Sequence, residues 1–171
     1  MRVKCACLSV FLFGILTFTV FSQELWPDRG PPWGASLKSL EKIFEPIIVK
    51  KYSDALWLGS FTETGNIPCL AELLFEKDGL YAMTLRSTNT FPTVEAALFE
   101  YRIFKQDMTE VFGTPYDEET PLIEEYKDYK YFISWDTVRD YIELYILKED
   151  TGYTVFADYT SNAYLDRTFG E

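Results

Sequence analysis

A chain of 171 residues sets 27 Asp and Glu against 16 Lys and Arg, a formal net charge of −11, and contains no histidine. The acidic balance argues against nucleic acid and anionic lipid surfaces, both of which would repel it. Without histidine there is no Ser-His-Asp or Cys-His catalysis and none of the usual zinc sites.

Residues 1–22 read as a signal peptide. Arg2 and Lys4 form a basic start, Leu8 to Phe21 is an uncharged apolar run, and Val20-Phe21-Ser22 offers a cut before Gln23. The run is shorter than the roughly 20 residues of a spanning helix, so a retained anchor is the weaker alternative and no stable membrane insertion is expected after cleavage. Cys5 and Cys7 precede the run, whereas a lipid-modified cysteine would follow it. The expected location is the periplasm or the extracellular space. Cleavage leaves 149 residues with 14 basic against 27 acidic side chains. That length suits one domain that buries about 68–70% of the surface its unfolded chain exposes. Cys69 is then the only cysteine, so no intrachain disulfide can form. Beside Ile67, Leu70 and Ala71 it is expected to be buried and inert, with a covalent dimer through Cys69 as the alternative.

Residues 23–35 are a lead-in in which Pro27, Pro31 and Pro32 forbid a helix. Ser36 is placed as an N-cap, ahead of a short helix with Leu37, Leu40, Ile43 and Phe44 on one face, ended by Pro46 near Phe44 or Glu45. Ala55–Phe61 reads as a strand. Cys69–Lys77 alternates, with Ala71, Leu73 and Phe75 on one face and Glu72, Leu74 and Glu76 on the other. Asp78-Gly79 supplies a hairpin turn, and Leu80–Ser87 returns.

A second helix opens at Phe91-Pro92. Val94, Leu98, Tyr101, Met108 and Val111 recur near the helical period, with Ala97, Phe104 and Phe112 widening the stripe. Gly113 and Pro115 stop it. Residues 117–128 hold six carboxylates and one lysine. They lack the ligand alternation and glycine of a calcium loop and read as a solvated connection. Strands follow at Tyr131–Asp136, Tyr141–Leu147 and Tyr153–Tyr159, the last two joined at Gly152. In the middle one Ile142, Leu144 and Ile146 oppose Tyr141, Glu143 and Tyr145. Thr160–Glu171 forms a short helix or a frayed end.

The halves echo each other. Glu72-Leu73-Leu74-Phe75 precedes a Lys-Asp-Gly turn and Tyr81; Glu143-Leu144-Tyr145-Ile146 precedes Glu-Asp-Thr-Gly and Tyr153. Each hairpin follows a helix and a tryptophan strand, at Trp57 and Trp135. The expected fold class is α+β: one domain over 36–171, with two tandem helix–strand–strand–strand units at about 36–90 and 91–161. The antiparallel sheet would carry its helices on one face and present the other to water.

The segment Arg29-Gly30-Pro31-Pro32-Trp33-Gly34-Ala35-Ser36 resembles the mature start of an uncharacterised family of exported bacterial proteins. Phe112-Gly113-Thr114-Pro115 and Tyr159-Thr160-Ser161 extend the resemblance. The architecture is similar to the tandem repeats of the β-lactamase inhibitor protein type and to the small lipoprotein domain of outer-membrane assembly machinery, although no lipidation cysteine follows the apolar run here. The resemblance implies protein binding and brings no cofactor or catalytic residue, and likeness of fold alone is a weak warrant for function.

Two binding candidates stand out. Trp33 is either a recognition residue or a pin for the lead-in. The second candidate is the outward face of the C-terminal strands, where Tyr141, Tyr145, Phe156 and Phe132 form an aromatic platform for a protein or peptide, or else merely pair across strands. Glu63, Glu72, Glu143 and Asp158 are the carboxylates available to a hydrolase, with nothing in the sequence to pair them. No phosphate-binding glycine loop is present. The expectation is an exported, non-catalytic protein without cofactor or metal, binding a protein, peptide or envelope component. The alternative is a carboxylate-dependent hydrolase of the cell envelope.

Overall fold

The computed structural model describes residues 31–62, 67–119 and 128–170. The leader with Cys5 and Cys7, Arg29, Gly30, Glu63 and residues 120–127 lie outside them. Elements follow in the order α1 (Leu37–Phe44), a 3-10 turn (Glu45–Ile47), β1 (Ile48–Lys51), β2 (Ala55–Thr62), β3 (Pro68–Glu76), β4 (Gly79–Ser87), α2 (Val94–Phe112), β5 (Asp117–Glu119), β6 (Tyr129–Asp136), β7 (Asp140–Glu149), β8 (Gly152–Ser161) and α3 (Asn162–Phe169). The strands form one antiparallel sheet in the order β1-β2-β3-β4-β8-β7-β6-β5.

Local chemistry sets the element boundaries. Ser36 Oγ accepts from the Ser39 amide at 3.2 Å, and Thr93 Oγ1 from the Ala96 amide at 3.3 Å. Each hydroxyl satisfies one amide that its helix leaves unpaired. Pro46 sits within the 3-10 turn, where its missing N–H costs no helical bond. At the end of α2 the Gly113 amide bonds to Thr109 O, and its carbonyl accepts from the buried Trp135 indole at 2.8 Å. That contact ties α2 to β6.

The β3–β4 and β7–β8 hairpins turn alike. Lys77-Asp78 and Asp150-Thr151 make the bends, followed by Gly79 at φ 101° and Gly152 at φ 142°. Both glycines press on the backbone that leads into a helix: Gly79 on Gly34 and Ala35, Gly152 on Phe91. Hydrogen bonds seal each contact, with Gly34 and Ala35 paired to Leu80 and Phe91 paired to Tyr153.

Strand alternation builds the core. Two rows cross six strands on the helix-covered face: Leu58, Ala71, Leu85, Ala157, Leu144 and Ile133, and Leu56, Leu73, Met83, Tyr159, Ile142 and Trp135. All twelve are buried and cluster with Leu40 and Phe44 of α1 and Ala97, Tyr101, Phe104 and Met108 of α2. Val94 and Leu98 pack at the margin, and Cys69 is fully buried.

Several expectations need correction. Ile43 and Val111 belong to the apolar stripes yet are 63% and 71% exposed. A helical period assigns a face but not how far along the helix that face meets a sheet. Asp117–Glu119, expected as part of a connection, pairs with β6 as an edge strand. The short, lysine-bearing β1 (IVKK) carries charge of the kind that discourages further edge pairing. Trp57 and Trp135, each on the strand before a hairpin, point to opposite faces, since Trp57 pairs with Glu72 and Trp135 with Ile142. The tail is the helix α3, whose Tyr164 stacks on Tyr81 at 4.3 Å and whose Arg167 pairs with Asp78.

Candidate functional site

The alternation that fills the core assembles a second set of side chains on the opposite sheet face. One row runs Leu70, Arg86, Phe156 and Tyr145 across β3, β4, β8 and β7, with Phe132 beside Tyr145 on β6. The next row runs Trp57, Glu72, Thr84, Asp158, Glu143 and Ser134. Tyr141 follows, opposite Thr160 and Asp136.

The first row is an aromatic ladder. The Tyr145 ring stacks on Phe156 at 5.6 Å and 5°, and on Phe132 at 6.4 Å and 17°, while Tyr129 tilts against it at 4.8 Å. These neighbours leave Tyr145 only 6% exposed. It is therefore the centre of the ladder rather than a contact surface, whereas Phe132, Tyr141 and Phe156 are half-buried. Arg86 lies 5.8 Å over Phe156 and pairs with Glu149 at 2.7 Å.

The second row is acidic, and each of its carboxylates is held by an aromatic donor. Trp57 Nε1 donates to Glu72 Oε1 at 2.8 Å, Tyr141 OH to Glu143 Oε1 at 3.1 Å, and Tyr145 OH to Asp158 Oδ2 at 2.7 Å. Glu143 and Asp158 are direct cross-strand partners, an arrangement that is unfavourable for like charges. Asp158 Oδ1 is shielded from solvent and accepts no hydrogen bond.

The electrostatics follow from this crowding. Burial raises the Glu143 carboxyl above its ordinary range and the Asp158 charge adds to the shift, against the opposing Tyr141 hydrogen bond. Burial, then Glu143, pushes Tyr141 up to about 12. Burial and Asp158 raise Tyr145 further. Burial alone would also raise Glu149, but hydrogen bonds from Arg86 and Thr154 and the Arg86 charge outweigh it and hold that carboxyl low.

Of the residues singled out from sequence, Phe132, Tyr141, Tyr145 and Phe156 share this face, and Trp33 does not. Trp33 packs against the core margin and donates its indole N–H to Asp140 at the start of β7. Nearby, Arg139 bonds to Pro31 O at 3.1 Å. The carboxylates Glu72, Glu143 and Asp158, which the sequence left unconnected, share one row.

Sequence reading missed Trp57, Arg86 and Tyr129. Alternation about buried Leu56 and Leu58 was enough to turn Trp57 outward. Tyr129 was hidden by the irregularity around Tyr131, whose φ is 53° and which shifts the parity of β6.

No protein-family model, no curated protein and no solved structure matches the chain. Among the described residues, no group of three or more Cys, Asp or Glu side chains is placed to hold a metal ion. No described helix is long and apolar enough to cross a membrane.

Proposed function

We infer that the chain is an exported, non-catalytic protein that binds a protein, peptide or envelope component through the sheet face opposite α1 and α2. One observation carries this reading: an aromatic row and a carboxylate row stand in register on that face, where α1 and α2 do not cover them. Half-buried aromatic planes give contact area at low entropic cost, and fixed carboxylates give orientation.

The expected resemblance to tandem helix-plus-sheet binding proteins belongs to the same reading. So does an origin in two helix–strand–strand–strand units. Both helices carry a hydroxyl N-cap, both hairpin glycines press on a helix lead-in, and β4 and β8 pair at the sheet centre.

The test is capture from envelope extract by the wild type and by a Trp57→Ala/Tyr141→Ala variant, with hydrogen exchange mapped on the captured complex. Binding that the variant loses, with protection on β4, β7 and β8, is expected. Capture that the variant retains refutes the face. Cell fractionation with N-terminal sequencing checks export, with Gln23 expected as the first residue.

A carboxylate-dependent hydrolase is the second reading. It is favoured by the raised Glu143 beside Asp158, since unequal carboxyls in one site are what acid–base hydrolysis uses. Hydrolysis of an envelope polymer that Glu143→Gln abolishes would replace the binding reading.

A further inference from the structure

The face already seats two cations of its own, both against aromatic rings. Lys50 Nζ lies 4.6 Å from the Tyr52 ring centre and 5.2 Å from that of Trp57, and Trp57 is bonded to Glu72. Arg86 lies over Phe156 and is paired with Glu149. Ring plus carboxylate is thus the setting in which this sheet holds positive charge.

The same components meet again at Glu143 and Asp158, between the Tyr141 and Tyr145 hydroxyls. There, no Lys or Arg among the described residues forms an ion pair with either carboxylate. Two like charges in register, partly desolvated, weaken the isolated fold, and an incoming cation relieves them.

We propose that this face docks a basic polypeptide segment, its lysine or arginine side chains received by Glu143, Asp158 and Glu72 and its apolar side chains by Phe156 and Phe132, which flank the buried Tyr145. Charge complementarity selects the partner. Of the charged groups on these two rows and their edges, the four carboxylates Glu72, Glu143, Asp158 and Glu149 outnumber the two cations Lys50 and Arg86, within a chain of net charge −11. Geometry selects a polypeptide over a compact cation. Neighbouring strands are about 4.8 Å apart, so Glu72 and Asp158, two strands from each other, stand roughly 10 Å apart. An extended segment crossing the strands spans that distance in about three residues.

The inference rests on the binding reading above, and its test separates the two. The full chain is titrated calorimetrically with a peptide of about twelve residues bearing lysine or arginine at every third position and leucine between. Glutamate-for-lysine and serine-for-lysine versions and spermine serve as controls. The expected result is binding by the basic peptide that weakens with added salt and falls about tenfold or more in Glu143→Gln/Asp158→Asn. The melting temperature of that variant holds or rises, because a like-charge contact is removed while both tyrosine hydroxyls keep an acceptor. Equal affinity in wild type and variant, or spermine binding as tightly as the peptide, overturns the proposal. Neutral or acidic peptide bound in preference, and lost in Phe156→Ala/Tyr141→Ala, overturns the cationic assignment while leaving the face as a binding surface. No peptide bound at any charge overturns the proposal and leaves the binding reading to the capture experiment.

Discussion

At the scale of single residues, two glycines and one glutamate carry distinct consequences. Gly79 and Gly152 adopt positive φ, and a Cβ on either would collide with a backbone carbonyl, that of Gly34 or of Phe91. Gly79→Ala and Gly152→Ala are each expected to cost about 2–3 kcal/mol, measured by urea unfolding, because strain and collision act together. Glu143 works in the opposite sense. Its carboxyl is raised in the fold from an ordinary value of 4.5, so the folded state holds its proton more tightly than the unfolded state does. The contribution is favourable below that value and is lost as pH rises through the raised one. Thermal melts of wild type and Glu143→Gln between about pH 4 and 8 should therefore diverge, with the variant more stable at the neutral end. A wild-type curve parallel to that of the variant would refute the assignment. The ladder also decides which tyrosine can be changed safely. Tyr145→Ser would remove the central ring and leave Asp158 without its donor, whereas Tyr141 is half-buried and peripheral.

At the scale of elements, α2 divides sharply between its faces. Phe104 is fully buried among sheet residues while Phe99 is 73% exposed. Phe104→Ala is expected to cost about 3–5 kcal/mol from lost burial and the cavity left behind. Phe99→Ala should lie within about 0.5 kcal/mol of wild type in the same denaturant titration. The helix period put both faces on view from sequence. What it did not show was the buried Glu100, 4% exposed, whose Oε2 takes the Asn89 amide at 2.7 Å. A polar residue within an apolar stripe gives no sign of its partner until the β4–α2 connection is folded. The edge strands β1 and β5 escaped the sequence for a related reason. They are four and three residues long, too short for alternation to register, and they exist because a neighbouring strand offers hydrogen bonds.

At the scale of the whole molecule, an acidic chain works against its own compaction. The formal net charge is −11 and the acidic row lies on one sheet face. Added salt screens this repulsion. The melting temperature at neutral pH is expected to rise between low ionic strength and about 0.5 M sodium chloride, where the Debye length has shrunk to a few ångströms. A fall over that range would show that favourable ion pairs such as Arg86–Glu149 and Arg167–Asp78 outweigh the repulsion.

The residue pattern alone determined the two packed helices, the two glycine-closed hairpins and the side chains that turn toward the core, because periods of two and 3.6 are local properties of the chain. It also put Phe132, Tyr141, Tyr145 and Phe156 on one side of their strands. Tertiary structure decided the rest. Pairing of β4 with β8 brought Glu72 of one half into the row of Asp158 and Glu143 of the other, and the Tyr129, Phe132 and Phe156 rings buried Tyr145. Which strands become neighbours, and in what register, depends on contacts far apart in sequence. A surface built from six strands is therefore fixed only when the sheet closes its order.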